Sequence, residues 1–124
     1  MLQKSSIFAV LDVFLDEPSG EHYLMDVSRK AKLAHTSVKQ NLAVLQREGL
    51  IRRRFQKKGS RKFPVYLAAG EDSLFRQYKM LHNLESLYDS GLVAFLLERL
   101  APKVIVVFGS YRRGEDREDS DIDL

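Results

Sequence analysis

Two carboxylates, Asp121 and Asp123, stand two positions apart with Ile122 between them and Leu124 after them. On an extended strand such residues project from one face, about 7 Å apart along the chain. Both acids would then share a side, while Ile122 and Leu124 would point into a core. Paired carboxylates that are free to orient are what Mg²⁺ accepts while it keeps water and phosphate ligands. Upstream, the apolar run Val104 to Phe108 ends at Gly109-Ser110. That is the arrangement required where a phosphate must approach backbone N–H groups at a helix start. A second constellation lies in the first half of the chain. Arg52, Arg53, Arg54, Lys57, Lys58, Arg61 and Lys62 are crowded together with no carboxylate among them. Holding so many like charges on a short segment costs self-repulsion, which a polyanion relieves.

The elements that must position these groups follow from periodicity. Ile7, Val10, Leu11, Phe14 and Leu15 recur at helical spacing after Ser5 or Ser6, and Pro18 and Gly20 end that helix. A short helix is expected over about Leu24 to Ala31, with Leu24, Val27 and Ala31 inward, and a turn over Lys32 to His35. A third helix is expected over about Thr36 to Glu48, with Val38, Leu42 and Leu45 inward and Gly49 as its stop. After Gly49 the period drops to two: Ile51, Arg53 and Phe55 alternate with Arg52, Arg54 and Gln56. Lys57-Lys58-Gly59-Ser60 supplies a turn, and a return strand follows from about Arg61 to Ala68. Pro64 lacks a donor, so this second strand reads as an edge there. A longer helix is expected over about Glu71 to Tyr88, with Leu74, Tyr78, Leu81, Leu84 and Tyr88 as its stripe. That stripe could pack on the chain's own helices or join two copies in a homodimer. A helix over about Leu92 to Leu100 precedes Pro102, and Lys103 to Phe108 reads as a fully buried strand.

The 124 residues carry 44% apolar and 30% charged residues, an ordinary globular balance. Net charge is +3, but the halves oppose one another. Residues 1–70 carry 13 Lys and Arg against 6 Asp and Glu; residues 71–124 carry 7 against 11. One half is suited to a polyanion and the other to cations such as metal ions. With no cysteine, disulfides, zinc–thiolate sites, iron–sulfur clusters and cysteine nucleophiles are excluded. His22, His35 and His82 share no metal-binding spacing. The longest apolar stretches fall far short of the roughly 20 residues a membrane helix needs, and Met1 to Ser6 offers no signal-peptide core. A cytoplasmic protein with no membrane partner is the expectation.

Helix, helix, turn, helix and basic ribbon, in that order, is the order of a winged helix-turn-helix. The stretch from Val27 to Leu42, continued by Leu45 and by Glu48-Gly49-Leu50-Ile51, resembles the bacterial and archaeal winged-helix regulators over about residues 5–70. The resemblance departs at Lys32, where glycine is usual, and at Ala34, where a serine cap is usual. Lys32 must therefore take a left-handed conformation, and the cap is expected to fall to Thr36 or Ser37, with Gln40 three residues after Ser37. A helix laid in the major groove would present His35, Thr36, Ser37, Lys39, Gln40 and Ala43. Lys39 suits a phosphate or guanine, and Gln40 can read adenine. Double-stranded DNA is the expected partner, held by Thr36, Ser37, Lys39 and Gln40 together with the ribbon cations.

The last part resembles the start of a DNA polymerase β-like nucleotidyltransferase, in particular the small members called minimal nucleotidyltransferases. Their pattern of apolar strand, Gly-Ser, Arg-Gly and Ser-Asp-x-Asp is matched by Gly109, Ser110, Arg113, Gly114, Ser120, Asp121 and Asp123. The resemblance implies that Gly109, Ser110 and Arg113 hold a nucleoside triphosphate. It also implies that Asp121 and Asp123 bind Mg²⁺ as catalytic carboxylates for transfer of a nucleoside monophosphate. The family's third carboxylate, on a later strand, has no counterpart here, so whether this chain is an enzyme stays open. The chain is expected to be a fragment of a longer product, or a remnant without its catalytic half, and inactive alone. The expected fold is α+β: a winged helix-turn-helix over 1–70, a linker helix over 71–91, and an incomplete nucleotidyltransferase α/β unit over 92–124. Transcriptional regulation through DNA binding is the first expectation. The rival is a fragment of an Mg²⁺-dependent transferase acting on a protein or small-molecule hydroxyl.

Overall fold

The computed structural model describes residues 2–123; Leu124, expected on the inward side of the last strand, lies outside them. The elements run α1 (Ser6–Asp16), α2 (Leu24–Ala31), α3 (His35–Arg47), β1 (Ile51–Lys58), β2 (Arg61–Ala68), α4 (Ser73–Asp89), α5 (Leu92–Leu100) and α6 (Gly109–Arg113). This is an α+β fold, with a winged-helix-like arrangement followed by helices. Val10, Leu11 and Phe14 of α1 bury against Val27 of α2 and against Val38, Leu42 and Leu45 of α3, all at most 2% exposed. Three amphipathic stripes thus share one core, since none could bury its apolar face alone. At the end of α3, Gly49 and Leu50 donate backbone bonds to Gln46 and Leu45, a Schellman closure. It turns the chain so that buried Leu50 and Ile51 start β1.

β1 and β2 pair antiparallel, with Ile51 opposite Ala68 and Lys58 opposite Arg61. β2 gains one more neighbour that the alternation did not reveal. His22, between α1 and α2, exchanges backbone hydrogen bonds of 2.9 and 2.8 Å with Tyr66. The expectation of a free edge therefore holds beside Pro64 but not two residues later. His22 itself is buried: its Nε2 lies 2.9 Å from the Glu17 carbonyl and its ring 4.7 Å from that of Phe14.

Lys32 takes the left-handed conformation expected of it, with φ +57°. The cap does not fall where expected. Leu33 N–H bonds back to the Ser28 carbonyl, and the chain enters α3 directly at His35 with Ala34 as its N-cap. Thr36 and Ser37 are consequently inside the first turn, and no side-chain oxygen caps it.

The structure also corrects the reading of α4. Asp72, not Glu71, opens the helix, accepting from Leu74 and Phe75 N–H. Leu74 and Tyr78 pack on the common core, but Leu81, Leu84 and Tyr88 are at least half exposed. The buried residues are Phe75, which joins the common core, and Lys79, Asn83 and Leu87, on the side where α6 and the loop after it bond Lys79 and Asn83. The apolar run before α6 corrects another expectation. Lys103 to Val107 form no strand; Val104 is 74% and Val106 58% exposed. A buried strand needs neighbours on both sides. Among the described residues the run has only a single bridge, with Phe108 N–H donating to the Asp123 carbonyl at 3.0 Å. The α/β unit expected over 92–124 is thus represented by helices and one bridge. No helix among the described residues is long and apolar enough to cross a membrane.

Candidate functional site

The outward side of α3 carries His35, Thr36, Lys39, Gln40 and Ala43, all exposed, with Ser37 half-buried. Val38, Leu42 and Leu45 anchor the opposite side, so packing on α1 and α2 leaves that polar set facing water. α3 also packs against β1, which ties the helix to the ribbon. In β1 only Ile51 is buried, and all seven ribbon cations lie in the solvent.

Those cations are not equivalent. Arg52 pairs with Glu71 and Arg54 with Glu21, two acids remote in sequence, so the absence of carboxylates within the segment did not reveal the neutralisation. Strand alternation puts both arginines on one face, beside Gln56, which accepts from the Tyr23 hydroxyl at 2.9 Å. Lys57, Lys58, Arg61 and Lys62 have no carboxylate partner among the described residues. They stand directly opposite one another, Lys57 to Lys62 and Lys58 to Arg61. Like charges directly opposite across a strand pair repel, so the uncompensated positive charge is concentrated at the tip.

The Gly-Ser turn and the acids fold back on α4. Gly109 begins α6 at φ +77°, and an added Cβ there would collide with the Asp123 carboxylate. The turn and the second aspartate of the motif are thus brought together, while Asp121 is exposed and Arg113 bonds Glu115 at 3.0 Å. Gly114 lies directly on the Arg76 carbonyl of α4, where any side chain would clash. The stretch Glu115 to Asp119, which could pass for a solvated acidic loop, is anchored. Asp116 is buried, with its carboxylate 3.1 Å from Lys79 Nζ and accepting from Asn83 Nδ2 at 2.6 Å. Asn83 also donates to the Tyr111 carbonyl, and the Tyr111 hydroxyl donates to the Asn83 carbonyl, each at 2.9 Å. Burial first, then the Asp116 charge, holds the Tyr111 phenol above its ordinary pKa. Glu118 accepts from Ser19 N–H and Oγ, joining the tail to the α1–α2 connection. No group of three or more His, Asp or Glu among the described residues is placed to hold a metal ion.

A charged cluster fastens α4 to α1. His82 Nε2 lies 2.7 Å from Asp16 and Nδ1 3.3 Å from Asp12, while Lys4 bonds Asp12 at 2.7 Å and Glu85 at 3.0 Å. Partial burial works against a charged ring, but the hydrogen bonds and charges of Asp12 and Asp16 outweigh it and raise the His82 pKa to about 9. The signal for it was only the helical spacing of His82 and Glu85.

A family model for the nucleotidyltransferase domain matches residues 90–124. The solved structure described as a "possible transcriptional regulator" from Methanosarcina mazei Go1 aligns with a TM-score of 0.54 at 19% identity, over 79% of this chain and 80% of that one. At that identity the likeness speaks for the fold. No curated protein matches the chain.

Proposed function

We propose that this protein binds double-stranded DNA through α3 and the β1–β2 ribbon and acts as a transcriptional regulator, with the nucleotidyltransferase-like tail as an appendage to it. The observation that carries the reading is the joint exposure of an acid-free helix face and of five cations without a carboxylate partner among the described residues, Arg53 and the four at the tip, on the element beside it. The helix supplies groups that reach base edges, and the ribbon supplies charge that reaches phosphates. Selection from a pool of random duplexes tests this. K39A/Q40A should lose sequence preference and keep general affinity. K57A/K58A/R61A/K62A should lose affinity for all duplexes alike. A protein that enriches no duplex would refute the proposal.

The match over 90–124 favours a second reading, Mg²⁺-dependent nucleotidyl transfer. In it Gly109, Ser110 and Arg113 would receive the triphosphate, and Asp121 and Asp123 would be two of the acids. It requires a further carboxylate beside Gly109. Calorimetry with Mg²⁺-ATP tests it: heat that D121N/D123N removes would favour this reading over the first.

A further inference from the structure

The two faces of the ribbon differ in chemistry. Arg52 and Arg54 occupy a face on which Glu71 and Glu21 neutralise them, leaving Lys58 and Arg61 at its tip without a carboxylate partner among the described residues. Arg53, Phe55 and Lys57 occupy the other, across from Tyr66, Pro64 and Lys62. On that face Phe55 is 60% exposed, Pro64 stands directly opposite it, and the Arg53 guanidinium lies 5.2 Å from its ring centroid. Next toward the tip come Lys57 and Lys62, both exposed and without a carboxylate partner among the described residues. An apolar pair is therefore framed by cations on both sides along the ribbon.

An exposed phenylalanine alone means little. Here its setting is complementary to one occupant. Cations flanking an aromatic can hold two phosphate strands while the ring meets the bases between them. Phe and Pro are among the side chains that enter a base step from the minor groove, unstack it and bend the duplex. We propose that Phe55, backed by Pro64, is such a wedge. It makes the ribbon a DNA-bending element and gives the protein a preference for deformable pyrimidine–purine steps, which α3 does not read. The inference rests on the DNA-binding reading above. The cation–π contact with Arg53 holds the ring beside a guanidinium in the free protein.

The test uses the full chain and a short duplex with 2-aminopurine beside a central TA step and a dye at each end. Binding should raise the 2-aminopurine fluorescence and bring the ends closer. F55A should abolish both signals and weaken binding about tenfold, the scale of losing one base-stacking contact. F55L, which keeps an apolar wedge, should retain them, and L84A, on the exposed side of α4, should behave as wild type. Duplex binding with unchanged fluorescence and end distance would overturn the wedge and leave the DNA reading standing, as would an F55A protein indistinguishable from wild type. Tighter binding to a single strand, without bending, would overturn it too and make Phe55 a stacking platform. Absence of duplex binding by every variant at low salt would overturn both.

Discussion

Lys32 carries a left-handed backbone, φ +57°, on a residue with a Cβ. That conformation costs an L-residue about 1 kcal/mol or more, and glycine removes the cost while adding some disorder to the unfolded chain. K32G should therefore raise the melting temperature by about 2–4 °C, as read by circular dichroism; a lower value would mean that the turn is unstrained. Asp116 is the opposite case, a buried carboxylate whose value lies in its partners. D116A leaves Lys79 and Asn83 without their acceptor, and release of the tail lets Lys79 reach water. The net cost should be about 2 kcal/mol, with faster amide exchange in residues 111–118; unchanged exchange would contradict the anchoring. The left-handed Lys32 was legible through the winged-helix resemblance, which has glycine at that place in the turn; the helical periodicity marked only a turn over Lys32 to His35. The Asp116 anchor was not, because its partners stand more than 30 residues away and nothing local in the acidic run marks one member for burial.

At the scale of elements, the winged-helix-like part was legible to within a residue or two, since α1 to β2 obey periods of 3.6 and 2. α4 was legible in extent but not in orientation. The apolar stripe Leu74, Tyr78, Leu81, Leu84, Tyr88 marks the side that packs at its start and is exposed at its end. The side that is buried contains Lys79 and Asn83, because its partner is a polar segment and not another apolar face. The run from Val104 to Val107 was misread for the converse reason: its apolarity suits a strand, but strand structure needs neighbours to pair with. The α1–α4 attachment carries a pH dependence of definite sign. His82 titrates near 6.5 when unfolded and at about 9 when folded. Its contribution is thus fully present below pH 6.5 and disappears as the pH rises through 9. Because Asp16 is largely exposed and screened, the expected loss is about 1 kcal/mol, or roughly 4 °C in melting temperature. The same clasp holds Asp12 below its usual carboxylate pKa, its burial being outweighed by His82 and Lys4, so that stability is lost only in acid as the pH falls through the lowered value. H82A should flatten the alkaline decline; a wild-type melting temperature unchanged between pH 6.5 and 9.5 would contradict the clasp.

At the scale of the whole molecule, the opposed charges of the two halves correspond to opposed placements. The ribbon projects its cations outward, whereas the acidic tail folds on Lys79, Arg76 and Ser19 and leaves the ribbon open. The account predicts that duplex binding depends on the four tip cations and not on the motif aspartates. The direct measurement is the dependence of the binding constant on salt for wild type, K57A/K58A/R61A/K62A and D121N/D123N. Four phosphate contacts should give wild type a log–log slope of about −4. The quadruple variant should lose most of that slope, keeping only the small part that Lys39 and Arg53 supply, while the aspartate variant should match wild type. A flat wild-type titration, or a quadruple variant with the full slope, would contradict the claim that the ribbon grips the backbone of a duplex.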